Sequence, residues 1–187
     1  MPKQRWDYQK KDYSQLEPWK LAWSAAFIQA EGTLTINVSP PSAKCGSVSP
    51  RYTLWVKADN TETEPIYQLK EFFGGAVRRY QNKTRKQYKP GYRWLITSRG
   101  AADCLKVIKP YFASSKRSRL TELLLEMDEH LRLTKKSVRL SEEEIKFRNA
   151  IVSQVRQLNN RKKFGRPGNW KSARKKNEPS SQGQLKM

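Results

Sequence analysis

A helix that runs directly into a strand is the feature that most restricts how this chain can fold. Residues 18–31 begin with proline, which suits a first helical turn, and Gly32 ends the run. One face of this predicted helix carries alanine at Ala22, Ala26 and Ala30. Residues 33–39 then alternate strictly between polar and apolar, as in a half-buried strand. A helical face of methyl groups allows very close approach, so we expect a partner helix there.

The rest of the chain predicts a repeated order of helix, strand and strand. Alternating apolar and polar residues predict three further strands, over residues 51–58, 76–82 and 88–98. Apolar residues at helical spacing predict four further helices, over residues 61–73, from Gly100, after the KRSRL segment at 116–120, and after Ser141. Glu144 completes a capping box with Ser141. The predicted order is αββαββα followed by two helices, an α+β fold.

The charge balance points to a polyanionic partner. Among 187 residues, 38 Lys and Arg face 17 Asp and Glu, which gives a formal net charge of +21. Such a chain repels itself strongly without a polyanion, so nucleic acid is the leading partner. We divide the chain into a polar N-terminal arm at 1–13, a folded domain at 14–158, and a basic C-terminal tail at 159–187. The tail lacks periodicity and is expected to bind phosphates.

Several other classes of protein are excluded. The longest apolar stretch is too short to span a bilayer, and the polar N-terminus lacks the pattern of a secretory signal. We therefore expect an intracellular, soluble protein. Cys45 and Cys104 are the two cysteines, and no CxxC pair is present, so a disulfide framework and a cysteine zinc site are both excluded.

Glu31 stands at the end of the alanine-bearing face. If the partner helix belongs to a second copy of the chain, the contact is symmetric. The two Glu31 carboxylates then lie close to the twofold axis and repel each other unless a divalent cation lies beside them. The arrangement implies Mg²⁺ or a similar hard ion.

The segment SAAFIQAEGTLTI, at residues 24–36, resembles the LAGLIDADG motif of homing endonucleases. The residues that match its L/F-I-D-A-D/E-G stretch are Phe27, Ile28, Ala30, Glu31 and Gly32. The element order and the segments YRWLITS and KPYFASSKRSRL are also similar to that family, over residues 14–158. Three positions depart from the pattern: Ser24 replaces Leu, Ala26 replaces Gly, and Gln29 replaces the common first Asp. The motif occurs once, which in this family is associated with homodimers.

The resemblance implies a four-stranded antiparallel saddle along the DNA major groove and cleavage of both strands across the minor groove. It implies Mg²⁺, or another divalent cation such as Mn²⁺, or Ca²⁺ in a non-cleaving complex. Glu31 and the backbone carbonyl of Ala30 take the positions of the metal ligands. The family also places a basic residue after the Pro-Tyr of the third helix and a polar residue after the second strand. Lys116 is our candidate for the first, with Ser115 or Arg117 as alternatives, and Asp59, or Asn60, for the second.

Strand parity separates a core face from a face for nucleic acid. If Leu34, Tyr52, Val77 and Trp94 point toward the helices, the alternate residues face outward. These candidate DNA-binding residues are Thr33, Thr35, Asn37, Arg51, Thr53, Trp55, Lys57, Arg78, Tyr80, Arg93 and Thr97. Arginine and asparagine can read guanine and adenine edges. Lys83 and Arg85, in the basic turn, are expected to hold phosphates.

The sequence hypothesis is a homodimeric, divalent-metal-dependent, site-specific DNA endonuclease that is encoded within an intron, with a chloroplast or mitochondrial location implied by the resemblance. The alternative is an RNA-binding intron maturase on the same scaffold without cleavage activity, an alternative raised by Gln29. A basic structural protein of the ribosome or nucleoid is a third interpretation, which the alanine face disfavours. An ordinary core helix with a terminal acid is the simplest alternative for the motif itself.

Overall fold

A computed structural model describes residues 12–41, 48–81, 89–133 and 139–160. Its helices are α1 (Pro18–Glu31), α2 (Glu64–Phe73), α3 (Ser98–Ile108), α4 (Ser115–Leu133) and α5 (Glu142–Asn159). Its strands are β1 (Gly32–Ser39), β2 (Arg51–Asn60), β3 (Ala76–Tyr80) and β4 (Gly91–Thr97). The predicted α+β fold, with the order αββαββα and additional C-terminal helices, is confirmed.

The strands form one antiparallel sheet in the order β1-β2-β4-β3. Strands β1 and β2 pair along their length, from Gly32 opposite Ala58 to Ser39 opposite Arg51. The C-terminal half of β2 pairs with β4, so the two helix–strand–strand halves of the chain join at the centre of the sheet. Strand β3 lies at one edge, where it pairs only with β4 in the described sheet.

Helices cover one face of the sheet. Along β2, alternate side chains are buried, which matches the strict polar and apolar alternation of the sequence. Leu34 and Trp94 are fully buried on the same face, and the Trp94 indole N–H donates a hydrogen bond to the Gly74 carbonyl at 2.7 Å. Tyr13 is also part of this core, with its ring centroid 5.6 Å from that of Phe73, so packing extends into the region assigned to the polar arm.

Several boundaries differ from the predictions: β2 ends at Asn60 and not at 58, β3 ends at Tyr80 and not at 82, and β4 covers Gly91–Thr97 and not 88–98. Helix α3 begins at Ser98, directly after β4, and not at Gly100. The KRSRL segment lies inside α4 and does not precede it, because the Ser114 carbonyl accepts hydrogen bonds from the Arg117 and Ser118 amides and starts the helix there. The predicted cap of α5 is confirmed: the Ser141 hydroxyl accepts a hydrogen bond from the Glu144 amide at 3.1 Å. None of the described helices has the length and hydrophobicity of a membrane span.

Candidate active site and nucleic-acid interface

Helix α1 buries one side and leaves its alanine face, Ala22, Ala26 and Ala30, toward solvent. Ser24, Ala25 and Ile28 form the buried side. Ala26 and Ala30 are exposed, Ala22 is half-buried, and Trp19 on the same side is 59% exposed. An apolar helical face that a single chain leaves uncovered is unfavourable in water, so this face is suited to contact with another helix.

Glu31, the last residue of α1, is exposed and opens onto a pocket of about 440 Å³. The other residues that line it are Asp59, Asn60, Thr61 and Tyr80. The sheet explains this meeting: Gly32 pairs with Ala58, so the start of β1 lies beside the end of β2. The fold thus brings together the two carboxylates that the sequence placed in the site, Glu31 and Asp59.

Asp59 is held by an arginine from the neighbouring strand. Arg93 lies opposite it in the ladder and donates from Nε to Oδ1 at 2.5 Å and from Nη2 to Oδ2 at 3.0 Å. The hydrogen bond to Asp59 raises the pKa of the Arg93 guanidinium above its usual value. The guanidinium carbon also lies 5.0 Å from the centroid of the Tyr80 ring. Asn60 has a different role, since its Oδ1 accepts a hydrogen bond from the Glu62 amide in the following turn.

The three candidates for the family's basic residue, all near the start of α4, occupy different environments. Ser115 and Lys116 are exposed in its first turn, whereas Arg117 reaches the end of α1. Arg117 Nη2 donates to the carbonyl of Gln29 at 3.0 Å and to that of Gly32 at 2.9 Å. The Gln29 side chain completes this contact, because its Oε1 accepts a hydrogen bond from the Ser114 amide at 3.0 Å. From the sequence alone, Arg117 is an alternative to Lys116, and no contact is predicted for Gln29.

The oxygen atoms at the end of α1 are suitable ligands for a hard cation. Glu31 supplies a solvent-accessible carboxylate and Ala30 a backbone carbonyl, and both are oxygen ligands of the kind that Mg²⁺ and Ca²⁺ prefer. Among the described residues, no group of three or more His, Cys, Asp or Glu side chains forms a metal-binding cluster.

The sheet face opposite the helices carries the residues that parity assigned to it. Thr35, Trp55 and Thr97 form one row across β1, β2 and β4, and Arg78 lies opposite Arg93 across β3 and β4. None of the predicted DNA-binding residues within the described segments is buried. A depression of about 230 Å³ on this face is lined by Trp55 and basic residues, and also by Leu95 and Arg79.

Leu95 and Arg79 were absent from the sequence-based set. Strand parity already placed Leu95 on the outer face, between Arg93 and Thr97. Arg79 has the opposite parity but is exposed on the edge strand β3. Lys83 and Arg85 lie outside the described residues. The described cysteine, Cys104, is fully buried in α3, and burial raises the pKa of its thiol, as expected for an inert residue.

Sequence comparison finds no matching family model and no significant match among curated proteins. Solved structures do match. The homing endonuclease I-CvuI, in complex with its target in the presence of Ca, gives a TM-score of 0.61 at 17% identity, over 78% of this chain and 85% of that one. The group I intron-encoded homing endonuclease I-CeuI, complexed with DNA, gives a TM-score of 0.61 at 14% identity, over 84% of this chain and 73% of that one.

The I-LtrWI LAGLIDADG homing endonuclease, bound to target DNA, gives a TM-score of 0.51 at 17% identity, over 78% of this chain and 46% of that one. The chain therefore has the fold of the LAGLIDADG homing endonucleases, as its motif predicted.

Proposed function

We propose that this protein is a homing endonuclease, a divalent-metal-dependent enzyme that makes a double-strand break at a specific, long DNA target as a homodimer. One observation carries the proposal: the solvent-facing alanine face of α1 ends at Glu31, beside Asp59, at the edge of a sheet face rich in basic residues. Proteins of the same fold, I-CvuI and I-CeuI, occur in complex with DNA.

The homodimer is supported by the alanine face and by the extent of the structural matches. A twofold contact through Ala22, Ala26 and Ala30 covers the apolar surface that one chain leaves exposed. It also places Glu31 of each subunit near the axis, because Glu31 directly follows the face. The chain spans most of I-CvuI but less than half of I-LtrWI, as expected of a unit that needs a second copy.

Phosphodiester hydrolysis requires an activated water and neutralisation of charge on the phosphate oxygens. Mg²⁺, or Mn²⁺, supplies both when it is bound, and Ca²⁺ is expected to support binding without cleavage. Glu31 and the Ala30 carbonyl hold the ion in this proposal, with the partner subunit and the DNA phosphates as sources of further oxygen ligands. Lys116, exposed at the start of α4, stabilises developing charge on the phosphate, and Asp59 orients the attacking water.

The outer sheet face binds the major groove in this proposal. Arg51, Lys57 and Arg78 supply positive charge and donors to guanine edges, while Asn37 can pair with adenine. Thr33, Thr35, Thr53 and Thr97 offer hydroxyl and methyl groups. The basic turn that contains Lys83 and Arg85, together with the basic C-terminal tail, adds charge that favours phosphate contacts whatever the DNA sequence. A chloroplast or mitochondrial intron is the proposed setting.

The test is cleavage of a library of intronless alleles in Mg²⁺ by the wild type and by Glu31→Gln. We expect the wild type to cut one site, and we expect the variant to keep specific binding to that site without cutting it. Glu126→Gln, an exposed carboxylate on α4, is the matched control and should cut normally. Cutting by Glu31→Gln would reject Glu31 as the metal ligand.

An intron maturase on the same scaffold is the second candidate. It predicts that the wild type cuts no site in the library and binds its intron RNA more tightly than any DNA. Gln29, the motif position that raises the possibility of a decayed site, accepts a hydrogen bond from the Ser114 amide at its side-chain oxygen. That contact, together with the exposed carboxylate of Glu31, favours the endonuclease.

A further inference from the structure

We infer that Gln29 and Arg117 are positioning residues, which fix the end of α1 against the start of α4 and thereby hold Glu31 where the metal ion binds. This inference rests on the proposed function. It assigns neither residue to direct contact with the ion or the DNA. Glu31 is exposed to solvent at the end of a helix, so its position depends on how the backbone around it is held.

Arg117 holds the backbone on both sides of the proposed ligands. Its Nη2 donates to the carbonyl of Gln29, immediately before Ala30, and to that of Gly32, immediately after Glu31. One nitrogen thus ties together the last turn of the helix and the first residue of the strand. Because Gly32 is itself paired with Ala58, the segment Ala30–Glu31 is held between α4 and the sheet.

The Gly32 amide closes the last turn of α1 by donating a hydrogen bond to the Ile28 carbonyl, and Arg117 adds a donor for a later carbonyl. The last carbonyls of a helix have no partner within the helix, and α1 has no basic residue in its own last turn. It passes into β1 through an extended Gly32, with no left-handed cap. Arg117 supplies both the missing donor and the positive charge that favours a helix C-terminus.

Gln29 supplies a hydrogen-bond acceptor at the start of α4. The N–H groups at the start of a helix lack acceptors within it, and the Gln29 amide oxygen accepts one from Ser114 at 3.0 Å. Gln29 therefore receives one hydrogen bond at its side chain and another, from Arg117, at its backbone carbonyl. An aspartate at this position, the residue the motif usually has, is one methylene shorter and charged. The departure from the motif thus gives the chain a neutral side chain that makes a specific contact.

The experiment uses the full-length protein and its selected DNA target, with Arg117→Met and Gln29→Ala as disrupting variants. Arg117→Lys and Gln29→Glu are the conservative variants, since lysine keeps a donor and glutamate keeps an acceptor of the same length. Arg119→Met is the matched control, because Arg119 lies on the same helix with an exposed side chain paired to Glu122. Two quantities are measured: the Ca²⁺ concentration at half-maximal enhancement of DNA binding, and the Mg²⁺ concentration at half-maximal cleavage rate.

We expect Arg117→Met to raise both ion concentrations by about 10- to 100-fold, the usual cost of losing a residue that orients a metal ligand. DNA affinity without divalent ions and the KM for DNA should stay within about twofold, since neither residue touches the DNA. Gln29→Ala should shift both ion concentrations in the same direction. Gln29→Glu and Arg117→Lys should each recover part of the loss, and Arg119→Met should resemble the wild type.

A shift in ion-free DNA affinity with an unchanged ion requirement would overturn the inference and make Arg117 a phosphate-binding residue. If Arg117→Met does not fold, Gln29→Ala, which removes a single hydrogen bond, decides the question in the same assays. A wild type that shows ion-dependent cleavage, with ion requirements unaltered in every variant, would overturn this inference alone. A wild type with no ion dependence in either assay would overturn the proposed function as well.

Discussion

Arg93 and Asp59 lie opposite each other across the central pair of strands, and the arginine binds both carboxylate oxygens. Tyr80 covers the guanidinium from the edge strand, with its ring centroid 5.0 Å away. Asp59 and Tyr80 also line the pocket that contains Glu31. The pair therefore links the sheet face proposed for DNA to the proposed metal site. Asp59 compensates the charge of Arg93 before any DNA is bound.

Asp59→Asn is expected to make DNA binding more dependent on salt. The change removes the charge that neutralises Arg93, so one more cation faces the phosphates. The slope of log association constant against log salt should steepen by about 0.9, the contribution of one neutralised phosphate. Fluorescence anisotropy over a series of KCl concentrations measures this slope.

Arg93→Gln is the matched comparison for that experiment. Because Asp59 already compensates the charge of Arg93, removal of the Arg93 charge should change the salt-dependence slope much less than Asp59→Asn does. Equal slopes for the wild type and Asp59→Asn would contradict the prediction that Asp59 keeps Arg93 from neutralising a phosphate.

Gly32→Ala is expected to destabilise the folded protein. A Cβ at position 32 would lie 2.4 Å from the Ile28 carbonyl oxygen and 2.8 Å from Ile28 Cγ2. Because α1 and β1 meet without a loop, neither atom can move away without disturbing the packed side of α1. We expect the free energy of unfolding to fall by about 1–3 kcal/mol, the usual cost of overpacking. Urea unfolding followed by circular dichroism measures it.

Thr33→Ala provides the comparison for Gly32→Ala. It changes the next residue, whose side chain lies on the open sheet face, and should lower the free energy of unfolding by less than Gly32→Ala does. A free energy of unfolding for Gly32→Ala that equals or exceeds the wild-type value would contradict the close packing of Gly32 on Ile28.

The Cys104 thiol is expected to be unreactive while the protein is folded. It is fully buried, and burial raises its pKa, so the reactive thiolate is scarce at neutral pH. The measurement uses Cys45→Ser protein, which leaves one thiol, and follows its reaction with a disulfide reagent at pH 8. Reaction should require denaturant. Complete labelling in native buffer, with the circular dichroism spectrum unchanged, would contradict this prediction.

The order of elements could be predicted because the periodicity of the sequence is local. The change at Gly32 from helical to alternating spacing marks the α1–β1 junction, and parity along each strand identified its outer face. The start of α4 was missed for a related reason: KRSRL has no apolar residue before Leu120, so its helical spacing is not visible. The helix begins earlier because Ser114 supplies the accepting carbonyl.

The site was only partly accessible to sequence reasoning. Glu31 and Asp59 stand at the ends of predicted elements, so their meeting followed from the element order. The contacts of Arg117 could not be predicted, since they join residues 85 and 88 positions apart and depend on how α4 packs against α1. The Asp59–Arg93 pair spans 34 positions and depends on the register of β2 with β4, which parity does not fix.

Ala26→Glu is expected to separate the proposed homodimer into folded monomers. Ala26 is exposed at the middle of the alanine face, so a symmetric contact places its two copies close together. Glutamate there adds bulk and brings like charges into an apolar contact, and both changes oppose association. Sedimentation equilibrium should give the mass of one chain, with an unchanged circular dichroism spectrum and loss of double-strand cleavage. Gln154→Glu introduces the same side chain at an exposed position of α5 and should remain dimeric. A dimer that persists in Ala26→Glu would place the subunit contact elsewhere and separate the two Glu31 carboxylates.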